Sequence, residues 1–391
     1  MSSIELRASV SLAAIFALRL FGMFVILPVF ALWAEGRPGW NLTLVGLALG
    51  AYGLTQAALQ FPLGWLSDRH GRRPVIYLGL AMLAAGSFVC AASESPWMLI
   101  LGRMLQGAGA VSATVIAMAA DLTREDQRTK SMAIIGSTIG VVFALSFVAG
   151  PFLVLRIGVP GIFALTGLMA LGAGAVLRFV VPEAPGAPEG APPVQLLAVL
   201  REPELVRLNV GIFALHAVLM ALFVVVPVAL VRSGLAAADH SWVYLGAVSA
   251  AFVLMLPAIL GRAALHERTV FLAAIATVGV AVALLAARLD SRVAIVAALV
   301  IFFTGFNVLE AKLPALVSRA APREARGAAT GVYSSVQFLG AFVGAAAGGA
   351  VAQHAGFVTV LVCCLVVSAA WLAVAWNMGD FQPAASPASR I

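Results

Sequence analysis

Charged side chains are scarce in this chain. Asp, Glu, Lys and Arg together make up 10% of its 391 residues, whereas 62% of the residues are hydrophobic. Soluble globular proteins carry roughly a quarter charged residues, because their surface must be hydrated. The composition therefore excludes a water-soluble fold and predicts a membrane protein.

Cysteines and catalytic motifs are also few. Cys90, Cys363 and Cys364 all lie within apolar stretches, where a thiol packs as a small apolar group. Their spacing indicates neither a disulfide framework nor a metal site. The sequence shows no phosphate-binding GxxxxGK[ST] loop and no nucleophile with a matching base. We therefore expect neither an enzyme nor direct drive by ATP, and no cofactor.

Apolar sequence is what the chain has in abundance. A membrane-spanning helix needs about 20 mostly apolar residues, and continuous apolar runs favour helices over the alternating segments of a barrel. These rules predict an all-α membrane protein with twelve transmembrane helices. The predicted spans are residues 15–33, 42–65, 75–92, 97–122, 131–155, 160–180, 206–231, 242–260, 270–287, 293–317, 328–352 and 357–376.

The basic residues are distributed unevenly between the two sides of the membrane. With a cytoplasmic N-terminus, the outer loops carry only Arg37, Arg156, Arg232, Arg288 and Arg292. The inner loops carry Arg69, Arg72, Arg73, Arg124, Arg128, Lys130, Arg262, Arg268, Arg319, Arg323 and Arg326. This asymmetry predicts that both termini are cytoplasmic. The net charge of +7 then reflects topology, and we expect no nucleic-acid partner.

A weak internal repeat divides the chain into two six-helix halves. Residues 15–19 read IFALR and residues 212–216 read IFALH, each near the start of the first span of its half. Residues 182–203 are rich in proline, alanine and glycine, which is typical of a linker. We predict an N-terminal half at 1–181, a cytoplasmic linker at 182–203, a C-terminal half at 204–379 and a short cytoplasmic tail at 380–391.

The loop between the second and third predicted spans carries the most informative motif. It reads GWLSDRHGRR, with a turn at Gly71 and one carboxylate within reach of several guanidinium groups. An incidental aspartate in a positively charged loop is the alternative. The motif residues are Gly64, Asp68, Arg69, Gly71, Arg72 and Arg73.

This loop resembles the signature of the major facilitator superfamily, and every fixed position of that signature is present. Residues 18–29, 52–74, 101–111 and 331–344 further resemble the YajR group, whose members are expected to be proton-driven drug efflux transporters. The resemblance implies the major facilitator fold in a bacterial inner membrane, with a charge relay of Asp68, Arg72 and Asp121 acting as a cytoplasmic latch that favours the outward-facing state. Members of the group continue into a soluble domain, which we do not expect beyond residue 391.

Two further segments resemble family signatures less completely. LGRMLQGAGA places Arg103 inside the fourth span, where a charge normally faces a partner or a water-filled cavity. The alternative is that Arg103 snorkels to the outer interface. The glycines of this segment, Gly107 and Gly109, are expected to allow close helix packing.

Gly150 and Pro151 at the end of the fifth span resemble the antiporter signature, but the residues that follow replace the expected glycines. Antiport therefore rests on the overall resemblance.

Polar residues inside the spans predict a central substrate and proton pathway. Glu310 is the leading proton carrier, unless Lys312 neutralises it, and His216 is either titratable or a packing residue. Phe21, Phe24 and Phe223 are expected to form apolar walls. The pathway residues are Arg19, Tyr52, Gln56, Gln60, Arg103, His216, Asn307, Glu310, Tyr333 and Gln337.

These features favour a secondary active transporter that exports a small amphipathic or drug-like compound in exchange for protons. A proton-coupled transporter of a defined small metabolite, including an anionic one, is the alternative. A non-transporting membrane receptor fits less well. The expected partners are the substrate, protons and membrane lipids, and we expect a monomer driven by a proton gradient.

Overall fold

The computed structural model describes residues 1–182, 199, 201–260, 267–322 and 325–378. This described part is helical and contains no strand. Span 1 comprises Ser3–Phe24 and Leu27–Ala34, span 2 Leu42–His70, span 3 Arg72–Ala91, and span 4 Pro96–Ala108 and Ser112–Asp121. Arg128–Phe179 contains spans 5 and 6; span 7 is Pro203–Arg232, span 8 His240–Leu260, span 9 Glu267–Ala287, span 10 Arg292–Ala320, and Arg326–Trp376 contains spans 11 and 12.

Two of these segments are too long for one crossing. They contain 52 and 51 residues, which at 1.5 Å per residue extend to about 77 Å, against a hydrocarbon core of about 30 Å. Each leaves the helical conformation at one glycine, Gly158 with φ 67° and Gly356 with φ 82°. Counted as two crossings each, they bring the total to the twelve predicted from the sequence.

Span 1 begins earlier than predicted. Its helix starts at Ser3 instead of residue 15, because Ser2 and Glu5 form a reciprocal cap in which each side chain binds the other residue's backbone N–H. The helix then breaks after Phe24 and restarts at Leu27, one residue before Pro28. Gly150 of span 5 packs so closely against the carbonyl of Val25 that a side chain there would clash.

Span 4 is broken rather than continuous. The sequence predicts one helix over residues 97–122, but helical structure stops at Ala108 and resumes at Ser112. Glycine is a poor helix former, and Gly107 and Gly109 flank the end of the first piece. The backbones of span 2 and span 4 approach so closely that a Cβ on Gly107 would overlap the carbonyl of Tyr52.

Polar contacts between the two halves lie at one end of the described part of the molecule. We call the end with the Gly64–Arg73 loop the motif end and the opposite end the far end. Three polar contacts cross between the halves, all at the far end: Arg232 to Glu35 at 3.6 Å, the Leu42 amide to Gln353 at 3.0 Å, and Ser241 to the Val148 carbonyl at 2.9 Å. Among the described residues, no hydrogen bond or ion pair joins the halves at the motif end.

The same far-end seam is tightly packed. Gly46 and Gly50 of span 2 lie against the backbone of Ala345 and Phe342 of span 11, where a side chain on either glycine would clash. The halves are therefore closed against each other at the far end. Most of the predicted linker and the whole predicted tail lie outside the described residues.

Candidate functional site

The motif loop brings together the three charges named from the sequence. Gly71 adopts a φ of 89°, which only glycine takes readily, and so turns the chain between spans 2 and 3. Arg72 then donates to the carboxylate of Asp68, to Ser67 Oγ at 2.8 Å and to Asp121 Oδ2 at 3.0 Å. One guanidinium group thus bridges the ends of spans 2, 3 and 4.

The other motif residues have separate roles. Arg69 is not part of the relay; its guanidinium lies 4.2 Å from the centre of the Trp65 ring. Arg73 donates to the carbonyl of Val181 at 2.6 Å and so ties the start of span 3 to the end of span 6. A Cβ placed on Gly64 would meet no atom within 4 Å, so the helix surface is open there.

In the N-terminal half, Arg19 is buried and fully engaged. Its side chain is 2% exposed. It donates to the Gly109 carbonyl at 3.2 Å, to Ser112 Oγ at 2.5 Å and to Gln56 Oε1 at 2.5 Å. The break in span 4 exposes the Gly109 carbonyl that Arg19 binds. This arginine therefore connects span 1 to span 2 and to the broken helix.

Arg103 lies inside the same half and does not reach the interface. It is 2% exposed, which rules out the snorkelling alternative. It donates to the Ala48 carbonyl at 3.3 Å and to Gln106 Oε1 at 2.8 Å, and Gln106 in turn donates to Ser87 Oγ at 2.7 Å. The Tyr52 ring centre lies 5.0 Å from Arg103 and 5.9 Å from Arg19.

These residues form one group, which we call the N-half cluster: Arg19, Tyr52, Gln56, Arg103, Gln106 and Ser112. Neither of its arginines makes an ion pair with any described carboxylate. Their donors are met by amide, hydroxyl and backbone oxygens instead. The cluster is thus a fixed positive charge held by neutral acceptors.

The C-terminal half contains a different polar group, in which an acid faces a histidine. His216 Nε2 lies 3.4 Å from Glu310 Oε1 and 2.9 Å from Gln337 Nε2, while His216 Nδ1 lies 3.3 Å from the Ile212 carbonyl. Lys312 does not pair with Glu310; it lines a separate pocket at the motif end. The alternative in which Lys312 neutralises Glu310 therefore has no contact to support it among the described residues. His216 is satisfied by protein partners on both ring nitrogens, so its role as a titratable group stays a prediction beside the alternative of a satisfied packing residue.

Tyr333 and Asn307 complete what we call the C-half cluster: His216, Asn307, Glu310, Tyr333 and Gln337. Tyr333 precedes Gln337 by one helical turn and Asn307 precedes Glu310 by three residues, so each pair shares a helix face. Most predicted pathway residues keep a buried polar atom that has no hydrogen-bonding partner among the described residues: Tyr52 Oη, Gln56 Nε2, Gln60 Oε1, Asn307 Nδ2, Glu310 Oε1 and Tyr333 Oη. Such atoms are costly in a packed core and are expected where a solute or water binds.

Aromatic rings from both halves meet beside the C-half cluster, and most of them are not predicted from the sequence. Phe143 of span 5 stacks on Phe306 of span 10 at 5.5 Å, and Phe147 meets Phe223 of span 7 at 5.0 Å. The His216 ring lies 5.8 Å from Phe306. Phe24 and Phe223, predicted as walls, both contact this group. The rings form an apolar seam that joins the halves beside the C-half cluster.

Comparison with known proteins identifies the family to which this chain belongs. The profile of the Major Facilitator Superfamily matches residues 12–345. The chain belongs to the Major Facilitator Superfamily. The superfamily and the fold are those of transporters rather than enzymes, and the chain is a multi-pass membrane protein.

Individual relatives agree with this assignment. The chain is 39% identical to the inner membrane transport protein YajR of Escherichia coli strain K12, over 96% of this chain and 84% of that protein. It is 38% identical to the class B tetracycline resistance protein of Escherichia coli, but over only 28% of this chain and 26% of that protein. A bacterial homologue of the human lysosomal transporter Spinster, in an inward-facing and occupied conformation, shares the fold with a TM-score of 0.75 at 14% identity, over 98% of this chain and all of that one.

Proposed function

We propose that this superfamily member exports a small amphipathic or drug-like compound in exchange for protons, from a bacterial inner membrane with both termini in the cytoplasm. The observation that carries the proposal is the contact between Glu310 and His216 within the C-half cluster. Ionisable side chains inside a membrane-spanning bundle are energetically costly, and those that are present normally serve a function such as a substrate pathway or a proton relay. The name of YajR, an inner membrane transport protein, supports transport at that membrane, and the partial match to the tetracycline resistance protein supports a drug-like solute.

The geometry around His216 offers two proton arrangements. With its proton on Nδ1, the ring donates to the Ile212 carbonyl and Nε2 accepts from the Gln337 amide. With a second proton, Nε2 donates to Glu310, 3.4 Å away. A proton arriving from outside therefore has two adjacent acceptors, and the charge of the cluster changes with it. A substrate that prefers one charge state is then coupled to the proton.

The motif loop supplies the second part of the proposed cycle. Arg72 holds Asp68 and Asp121 together at the cytoplasmic ends of three spans. All three residues belong to the N-terminal half, so the relay does not itself bridge the halves. We propose that it acts as a latch indirectly, by holding the ends of spans 2, 3 and 4 in the arrangement that the C-terminal half meets when the motif end closes, and that its strength thereby sets the balance between the inward-facing and outward-facing states. The far-end seam, which the basic-residue distribution assigns to the outside, closes the opposite side.

The N-half cluster favours a second candidate, transport of a small anionic metabolite. Arg19 and Arg103 place two positive charges within one half and have no carboxylate partner among the described residues. An anionic solute would supply the missing negative charge. In the structure both guanidinium groups are occupied by protein acceptors, so we rank this candidate below export of an amphipathic compound.

The test is transport by the purified full chain in proteoliposomes under an imposed pH gradient. Tetracycline is offered as the amphipathic solute and a small dicarboxylate as the anionic one. Proton-driven movement of tetracycline alone supports the first candidate, and movement of the dicarboxylate alone supports the second. Protein-free vesicles and an uncoupler are the controls. If a broader solute panel also fails to move under every imposed gradient, the transport proposal is wrong.

A further inference from the structure

A pocket of about 200 Å³ lies at the far end, outside both polar clusters. Its walls come from both halves of the molecule, span 1 and span 5 on one side and the start of span 8 on the other. The lining includes Pro28, Trp33, Pro151, Val154, Ala237 and His240. All of these except His240 present apolar surface.

His240 is the one polar side chain among the described residues that line this pocket. It is 1% exposed and lies near the backbone of Leu235 and the carboxylate of Asp239. The Leu235 backbone can satisfy one ring nitrogen only, and the other has no hydrogen-bonding partner among the described residues. Tyr244 stands one turn further along the helix, its ring 6.2 Å from His240, and its hydroxyl is unpartnered too. A buried ring nitrogen without a hydrogen-bonding partner is costly unless a ligand supplies that partner.

Packing against neighbouring aromatic rings holds the apolar walls of the pocket in place. Trp33 packs against Phe30 at 5.4 Å and Trp40 at 5.7 Å between ring centres, so its ring cannot easily move. Two prolines add flat, rigid surface. An apolar cavity of about 150 Å³ accepts a benzene molecule, so this pocket has room for one substituted ring. A polycyclic compound would extend beyond these walls.

We propose that this far-end pocket is a binding site for a small single-ring aromatic compound carrying one hydroxyl group. The ring fills the space between Trp33, Pro28 and Pro151, and the hydroxyl bonds to His240. A neutral imidazole has one donor and one acceptor nitrogen, either of which a hydroxyl can satisfy. Because the pocket walls belong to both halves, the bound compound also stabilises the closed far end. This site is separate from the proposed export pathway.

The test uses 4-ethylphenol as the probe and ethylbenzene as its partner without a hydroxyl. Binding to the full chain in nanodiscs is measured by saturation-transfer NMR, with empty nanodiscs subtracted to remove partitioning into lipid. His240→Phe keeps an aromatic ring but removes both nitrogens. Val154→Trp fills the pocket, and Ala237→Trp, at an exposed rim position, fills it with less risk to folding.

We expect the wild-type chain to bind 4-ethylphenol about tenfold more tightly than ethylbenzene, the contribution of one hydrogen bond. His240→Phe should abolish this preference, and both tryptophan variants should abolish binding of either compound. Binding that persists unchanged in Ala237→Trp and Val154→Trp would place the compounds elsewhere and overturn the proposal. So would the absence of 4-ethylphenol binding above empty nanodiscs, or an unchanged preference in His240→Phe.

Discussion

The two halves of this transporter place different chemistry at the same repeat position. Arg19 closes the IFALR sequence of span 1 and His216 closes the IFALH sequence of span 7. Arg19 is held by three neutral acceptors, whereas His216 faces Glu310 and Gln337. A guanidinium group stays charged at any physiological pH, while an imidazole and a carboxylate both exchange protons. This difference supports the proposal that the N-terminal half acts as a fixed scaffold and that the proton is carried by the C-terminal half.

The comparison between the halves predicts that the largest loss of stability follows from replacing Arg19. Replacing it in Arg19→Met leaves the Gly109 carbonyl, Ser112 and Gln56 without their donor. Each buried group that loses its partner costs about 1–3 kcal/mol, so we expect a loss of about 3 kcal/mol in unfolding free energy. Thermal unfolding in detergent measures it. Arg156→Met, at an exposed arginine, is the control and should change stability by less than about 0.5 kcal/mol. Equal stability of both variants would contradict the scaffold role.

A smaller loss is expected where spans 2 and 4 touch. Gly107→Ala places a Cβ onto the Tyr52 carbonyl and beside Thr55, which should cost about 2 kcal/mol through displaced backbone. Gly136→Ala is the matched control, because nothing lies within 4 Å of its Cβ and alanine favours a helix. The same thermal measurement should show Gly107→Ala destabilised and Gly136→Ala unchanged or more stable. A destabilised Gly136→Ala would show that the packing argument fails.

The latch lies wholly in the N-terminal half and should affect rate without affecting coupling. Asp68→Asn weakens the contact with Arg72, and we expect transport to fall about tenfold, the effect of about 1.4 kcal/mol. Vesicle uptake assays measure the rate, and the proton-to-substrate ratio should stay constant. Arg69→Gln is the control, since Arg69 packs on Trp65 outside the relay. An unchanged transport rate in Asp68→Asn would contradict the latch and leave the loop with a role in membrane orientation only.

The smallest effect is expected at His216. In His216→Asn the side chain still forms hydrogen bonds but can no longer carry a proton. We expect the proton-driven rate to fall about threefold, or about 0.6 kcal/mol, because Glu310 remains. Complete loss of proton flux with substrate exchange retained would make His216, rather than Glu310, the essential carrier.

Much of this organisation could be predicted from the sequence. The relay of Asp68, Arg72 and Asp121 was predictable because the superfamily motif contains Asp68 and Arg72, and the resemblance to the YajR group adds Asp121. The joining of His216 with Glu310 was not, since spans 7 and 10 are far apart in the chain and only tertiary packing brings them together. The aromatic seam could not be predicted from the sequence. Phe143 lies in a helix that is apolar on every side, so periodicity does not show toward which neighbour its ring points.

The break in span 4 was also hidden. The close packing expected at Gly107 and Gly109 is present, but apolar composition alone does not show where a helix stops. The partner that stabilises the break, Arg19, comes from span 1. The extended start of span 1 could have been found from Ser2 and Glu5, whose spacing is that of a capping box.

The most direct test of the central claim is proton movement on addition of a transported substrate to proteoliposomes with no imposed gradient. We predict substrate-induced proton flux in the wild-type chain. In Glu310→Gln we predict none, with substrate counterflow retained at a comparable rate, because glutamine fills the same space but holds no exchangeable charge. Proton flux that survives in Glu310→Gln would contradict the assignment of the proton to the C-half cluster.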